Sequence, residues 1–178
     1  MRAATPRNLV AIDFETADYE PDSACAIGII KITAGKVVSG DHFLIRPPRR
    51  DFVFTYIHGI SWAHVHKKPT FSKLWPVLEP ILRDADYILA HNASFDRRVL
   101  RACCAHADIP FQSPPFICTV NLARKAWSIY PTKLPDVCSQ LGIALNHHDA
   151  GSDAAACANI GIAALELGFP IESCALAT

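Results

Sequence analysis

Three strand-forming runs open the chain in direct succession, and this order restricts the architecture more than any other feature of the sequence. Residues 8–15 (NLVAIDFE), 25–32 (CAIGIIKI) and 36–45 (KVVSGDHFLI) are apolar runs of strand length. Thr33-Ala34-Gly35 joins the second to the third, a short connection that suits an antiparallel hairpin. Arg46-Pro47-Pro48-Arg49-Arg50 ends the third, because consecutive prolines cannot continue a ladder. A loop is expected around His58-Gly59-Ile60. Thr70 then caps a predicted helix running to about Leu82, with Leu74, Val77, Leu78 and Ile81 at helical spacing and Pro76 and Pro80 predicting a kink. Residues 86–91 (DYILAH) read as a fourth strand, with a helix following from about Ser94. Residues 116–120 (FICTV) read as a fifth strand, followed by helical patterns near 121–128 and 134–141. The last helix is expected to start at Ser152 as N-cap and to stop at Gly168 and Pro170. Three strands followed by alternating helices and strands imply an α/β fold, a mixed sheet with helices packed on its faces.

At 178 residues the sequence is expected to form one domain over 1–178, with a short tail at 169–178. Apolar residues at 51% and charged residues at 19% exclude extended disorder. The formal net charge is zero, which argues against a non-specific nucleic-acid coat protein. It leaves room for an enzyme whose acidic cluster offsets basic contacts elsewhere. Seven cysteines lack a CxxC pair and sit mostly in apolar runs, so buried free thiols are expected rather than disulfides or zinc ligands. The start, MRAATPRNLV, offers no signal peptide and no span, so a cytoplasmic protein is expected.

Several acids do not fit a core. Asp13 and Glu15 are two residues apart at the end of a strand, so both carboxylates project from one side of the sheet. Val10, Ile12 and Phe14 project from the other. Two like charges placed together require a cation or a basic group, unless the strand end is simply solvated. Asp96, in HNASFDRR, and Asp153, after Ser152, each fall in the first turn of a helix, where the dipole alone favours an aspartate. The combination is more informative than any member. Sites in open α/β sheets form at the carboxyl ends of strands, where Asp13, Glu15 and Asp96 all fall, and the closing helix is able to bring Asp153 beside them. Four carboxylates without thiolates select a hard ion such as Mg²⁺ or Mn²⁺. His148 stands on the loop before that helix, next to His147, and is free to turn toward the same pocket.

The ordered motifs resemble the DEDDh (DnaQ-like) 3′–5′ exonucleases, a family that includes the epsilon subunit of bacterial DNA polymerase III and exonuclease X. They are Ile12-Asp13-Phe14-Glu15-Thr16, then Asn92-Ala93-Ser94-Phe95-Asp96, then His148-Asp149-Ala150-Gly151-Ser152-Asp153-Ala154, and the similarity spans about residues 8 to 167. The resemblance implies a ribonuclease H-like fold, a five-stranded mixed sheet whose second strand is antiparallel to the others. It implies two divalent ions, Mg²⁺ or Mn²⁺, on Asp13, Glu15, Asp96 and Asp153, with His148 as general base and His147 the lesser choice. It further implies that Phe14, Thr16, His58, Ile60, Asn92 and Ser94 meet the terminal nucleotide of a DNA or RNA 3′ end. Trp62 and Phe95 are candidate stacking residues, although Phe95 also fits the core face of its helix. Arg46/Arg49/Arg50, Lys67/Lys68 and Arg97/Arg98/Arg101 are candidate phosphate contacts. The expected activity is hydrolysis of terminal phosphodiesters of single-stranded or frayed DNA to nucleoside 5′-monophosphates. An RNA-trimming enzyme and a proofreading or binding module of a polymerase assembly are the alternatives. With only about ten residues after the last helix, against the long docking extension of the epsilon subunit, a polymerase partner is not favoured.

Overall fold

A computed structural model describes residues 8–177. The strands are β1 (Asn8–Thr16), β2 (Ala24–Thr33), β3 (Lys36–Leu44), β4 (Tyr87–Ala90) and β5 (Phe116–Cys118). They form one sheet in the order β3-β2-β1-β4-β5. β2 is antiparallel to β1 and β3, while β4 runs parallel to β1 and β5 parallel to β4. The second strand is therefore the one reversed member, as a ribonuclease H-like sheet requires.

The helices are α1 (Thr55–His58), α2 (Trp62–Val65), α3 (Phe71–Arg83), α4 (Ser94–His106), α5 (Thr119–Trp127), α6 (Leu134–Leu141) and α7 (Ala150–Glu166). They divide between the two faces because strand alternation gives each face its own apolar set. Val10, Ile12 and Phe14 of β1 join Leu74, Trp75 and Leu78 of α3 and Val99 and Leu100 of α4 in one core. Leu9 and Ala11 face the opposite way, into a second core with Leu122 of α5, Val137 of α6 and Cys157 and Ile160 of α7. All seven cysteines are free and buried among these layers.

Four local expectations need correction. α3 runs unbroken through Pro76 and Pro80. Both prolines are exposed, so the carbonyls they leave unpaired lie on the solvent side of the helix. The fifth strand stops at Cys118, and Thr119 and Val120 belong to α5. The segment around His58 is not a plain loop but two single-turn helices joined through Gly59, whose φ of 74° is the left-handed conformation of a helix terminator. Finally, α7 starts at Ala150, not after Ser152. Its N-cap is Asp149, whose side chain accepts from the Ser152 N–H, while the Ser152 hydroxyl accepts from the Asn146 N–H. Aspartate and serine are both good caps, and the preceding turn decides which one is placed to act.

One close contact fixes the position of α7. Gly28 of β2 lies opposite Asp13 of β1, and a Cβ on Gly28 would stand 1.9 Å from the Ala150 carbonyl oxygen. The missing side chain lets the first turn of α7 lie directly on the sheet beside the acids of β1. Gly28→Ala is expected to cost about 1–3 kcal/mol through overpacking. Thermal unfolding would register this as a fall of about 2–4 °C for each kcal/mol, and an unchanged melting temperature would contradict the contact.

Candidate active site

β1 carries Asp13 and Glu15 out beyond the end of β4, whose last register pair with β1 is Ala11–Leu89. The Phe14 N–H thus has no strand partner on that side, and Asp96 supplies one. From the first turn of α4, Asp96 Oδ1 accepts from the Phe14 N–H at 3.0 Å. Asp153, in the first turn of α7, is held in a comparable way. Its Oδ2 accepts from the His148 N–H at 3.2 Å and contacts His147 Nδ1 at 3.0 Å. The turn before α7 allows this because His148 adopts a φ of 68°, the left-handed region that few residues other than glycine enter.

Ligand-competent oxygens of Asp13, Glu15 and Asp153 all lie within 4.8 Å of one another. Asp96 stands outside that triad but close enough to Asp13 to raise its pKa. Asp96 Oδ2 and Asp153 Oδ1 are buried and have no hydrogen-bond partner. Orphaned buried carboxylate oxygens are costly unless something compensates them. A hard divalent cation meets this need, since every unsatisfied donor here is oxygen. The residues therefore fit the metal chemistry expected of them.

Burial, followed by the charges of Asp96, Glu15 and Asp153, pushes Asp13 well above its ordinary range. Burial, then Asp153 and Asp96, push Glu15 up to about 8. Burial raises Asp96 to about 8 against the lowering effect of the Phe14 N–H. Asp153 is also raised by burial, opposed by its bonds to His148 and His147. Burial and the neighbouring His147 lower His148, which favours the neutral imidazole.

His58 links the β1 end to the following segment. Its Nδ1 accepts from the Ile60 N–H at 3.0 Å, so the proton sits on Nε2, which donates to the Thr16 carbonyl at 3.1 Å. Burial lowers its pKa, in keeping with that neutral tautomer. Asn92 follows β4 in the left-handed conformation (φ 61°), and its Oδ1 accepts from the Ser94 hydroxyl at 3.3 Å. Phe95 is partly buried against the core under α3 and α4, with the Arg98 guanidinium 5.9 Å from its ring centre. Trp62 lies under the Arg50 guanidinium, at 5.4 Å.

A cleft of about 480 Å³ opens onto Asp13, Asn92 and Asp153. Its other wall comes from residues the sequence did not single out, including His91, Arg124, Thr132 and Lys133. His91 is fixed by Thr119 Oγ1 at 2.8 Å and the Thr132 carbonyl at 2.9 Å. Its position directly after β4, at a strand's carboxyl end, was a usable signal. Arg124 and Lys133 carried none, because only the packing of α5 and α6 places them on the cleft wall. His147, set aside in favour of His148, contacts Asp153, and the two imidazoles stack with centres 3.8 Å apart.

Comparison with known proteins decides the family. Residues 10–160 match the exonuclease family model of the ribonuclease T type. The chain belongs to this exonuclease family. It is 32% identical over 162 residues to the PolC-type DNA polymerase III of Thermotoga maritima, covering 89% of this chain and 12% of that protein. It is 32% identical over 148 residues to exodeoxyribonuclease 10 of Escherichia coli strain K12, covering 78% of this chain and 60% of the relative. The chain thus spans about an eighth of the polymerase and three fifths of the exodeoxyribonuclease. Exonuclease X in complex with 5′ overhanging duplex DNA superposes with a TM-score of 0.72 at 27% identity, over 94% of this chain and 97% of that one. The fold of this exonuclease is ribonuclease H-like, as the motifs implied. Among the described residues no helix is long and apolar enough to cross a membrane.

The raised carboxyls set a pH dependence. At low pH both folded and unfolded chains hold these protons. As pH rises from about 4 toward 8, the unfolded chain releases them while Glu15 and Asp96 retain theirs, so the metal-free fold loses stability across that window. The melting temperature of the metal-free protein is expected to fall between about pH 5 and 8, and added Mn²⁺ to restore more of it at the upper end. Calorimetry with and without EDTA measures both effects, and a flat profile would count against the buried acids.

Proposed function

We propose that the chain removes nucleotides one at a time from the 3′ end of DNA, single-stranded or frayed, releasing nucleoside 5′-monophosphates. The observation that carries this reading is the convergence of Asp13, Glu15, Asp96 and Asp153 from three separate elements, two of them with buried oxygens left unsatisfied. Asp13, Glu15 and Asp153, with Asp96 beside them, would hold the divalent ions, Mg²⁺ or Mn²⁺. Bound there, such ions supply Lewis-acid assistance to water and to the reacting phosphate.

The remaining steps fall to the chain itself. His148, neutral near pH 7 and set on the turn before α7, takes the proton from the attacking water. The water oxygen bonds to phosphorus as the bond to the 3′ oxygen breaks. Thr16 and the Phe14 backbone border the terminal nucleotide, and His58 ties the Ile60 segment to the Thr16 carbonyl beside it. Asn92 and Ser94 face the sugar and phosphate. DNA is preferred as substrate because the names or titles of exodeoxyribonuclease 10, of the PolC-type DNA polymerases and of the exonuclease X complex all specify DNA. A second reading, a proofreading domain within a polymerase, is supported by the PolC-type relatives, of which this chain matches only a small part.

The test uses a 5′-labelled single strand, as DNA and as RNA, with Mn²⁺ or EDTA. A metal-dependent ladder shortening from the 3′ end, faster on DNA, is expected. Asp13→Asn should abolish it, and His148→Ala should lower kcat by about 10²–10⁴-fold with a smaller change in KM. Internal cuts, or shortening in EDTA, would overturn the assignment.

A further inference from the structure

The structure separates the basic residues sharply by what they already bind. Arg49 is held by Asp18 and Asp22, and Arg83 by Glu79. Arg46 donates to the His66 carbonyl, and Arg50 covers Trp62. On α4 three arginines stand on one helix face, with Arg98 lying over the Phe95 ring as Arg50 lies over Trp62. Ser94, Arg97, Arg98 and Arg101 fall at i, i+3, i+4 and i+7 and share one face, opposite the buried Asp96, Val99, Leu100 and Cys103. These four residues and Ala102 line a groove of about 420 Å³. Arg97 donates to the Ala177 carbonyl at 2.6 Å. Arg98 and Arg101 are exposed and have no carboxylate partner among the described residues.

The groove joins the acidic cleft. Ser94 lines it and donates to Asn92, which lines the cleft with Asp13 and Asp153. From Ser94 to Arg101 the helix rises about 10 Å, close to three nucleotides at about 3.4 Å each along one strand. Guanidiniums in a row without carboxylate partners among the described residues, beside a phosphodiesterase cleft, match a polyanion of regular spacing, because each presents a fork of donors to phosphate oxygens. In a chain of zero net charge they are a directional feature and not a general basic coat.

We infer that the Arg97–Arg98–Arg101 face of α4 binds the phosphodiester backbone of the strand being degraded, on the 5′ side of the scissile bond. This rests on the exonuclease reading and extends it. Long strands are held by this face as well as by the cleft, whereas a dinucleotide is held by the cleft alone. Binding of long strands is therefore salt-dependent in proportion to the arginines engaged.

The experiment measures binding of a labelled long single-stranded DNA to the Asp13→Asn protein across a salt series, and hydrolysis of the same strand and of a dinucleotide by the active protein. In Arg98→Gln/Arg101→Gln the slope of log affinity against log salt is expected to shrink by about 1.4, since each lost phosphate contact on a single strand contributes roughly 0.7. The KM penalty should be greater for the long strand than for the dinucleotide by about tenfold or more. Arg98→Lys/Arg101→Lys should recover most of the slope. An unchanged slope, an equal penalty on both substrates, or a defect confined to duplex DNA would overturn the inference. Absence of hydrolysis of any strand by the unsubstituted protein would instead refute the exonuclease reading, and the salt slope would still be measurable.

Discussion

The first turn of α7 lies on the sheet at a distance that no side chain on Gly28 would permit. Much of the remaining structure depends on this contact, because it brings Asp153 against the two acids of β1 and leaves Asp13 and Glu15 only partly exposed. Carboxylates so enclosed repel one another and lose hydration, and the protein holds them with few compensating donors. The Phe14 N–H binds one oxygen of Asp96, and the His148 N–H with His147 binds one oxygen of Asp153. In each case the second oxygen is left without a partner. The scaffold thus orients each acid through one oxygen and leaves the other free for the cation we propose there.

The surrounding groups extend the same arrangement. His58 bonds both Thr16 and Ile60 as a neutral imidazole, so it adds rigidity beside the acids without adding charge. Arg49 holds the turn after β1 through Asp18 and Asp22, and its hydrogen bonds keep the Asp22 carboxyl below the usual range. A further row of positive charge without carboxylate partners among the described residues lies on the outer face of α4. A net charge of zero therefore conceals an acidic cleft next to a basic groove.

Much of the fold was legible because strand and helix periods are local. The strand runs at 8–15, 25–32 and 36–45 and the helix at 134–141 appear almost where they were expected. The misreadings fell where two local signals competed. Ser152 and Asp149 are both capable caps, and the turn through His148 chose between them. Thr119 and Val120 favour strands by type, but the ladder to β4 ends at Cys118 and the chain turns into α5. Pro76 and Pro80 break helices in isolation, yet here they face solvent while Leu74, Trp75 and Leu78 anchor the other side.

The sequence by itself determined which acids could act together, because Asp13 and Glu15 share a strand face by alternation and Asp96 and Asp153 open helices. It also pointed to a mixed α/β sheet, since three early strands are followed by alternating helices and strands, whereas the strand order came from the structure. Tertiary structure decided everything that depends on approach across the fold. It determined which carboxylate oxygens stay unpartnered, how His147 comes to hold Asp153, and how Arg124 and Lys133 come to border the cleft. It also determined which arginine cluster lines a groove beside the cleft. Those outcomes depend on distances between segments far apart in the chain, and no local period encodes them.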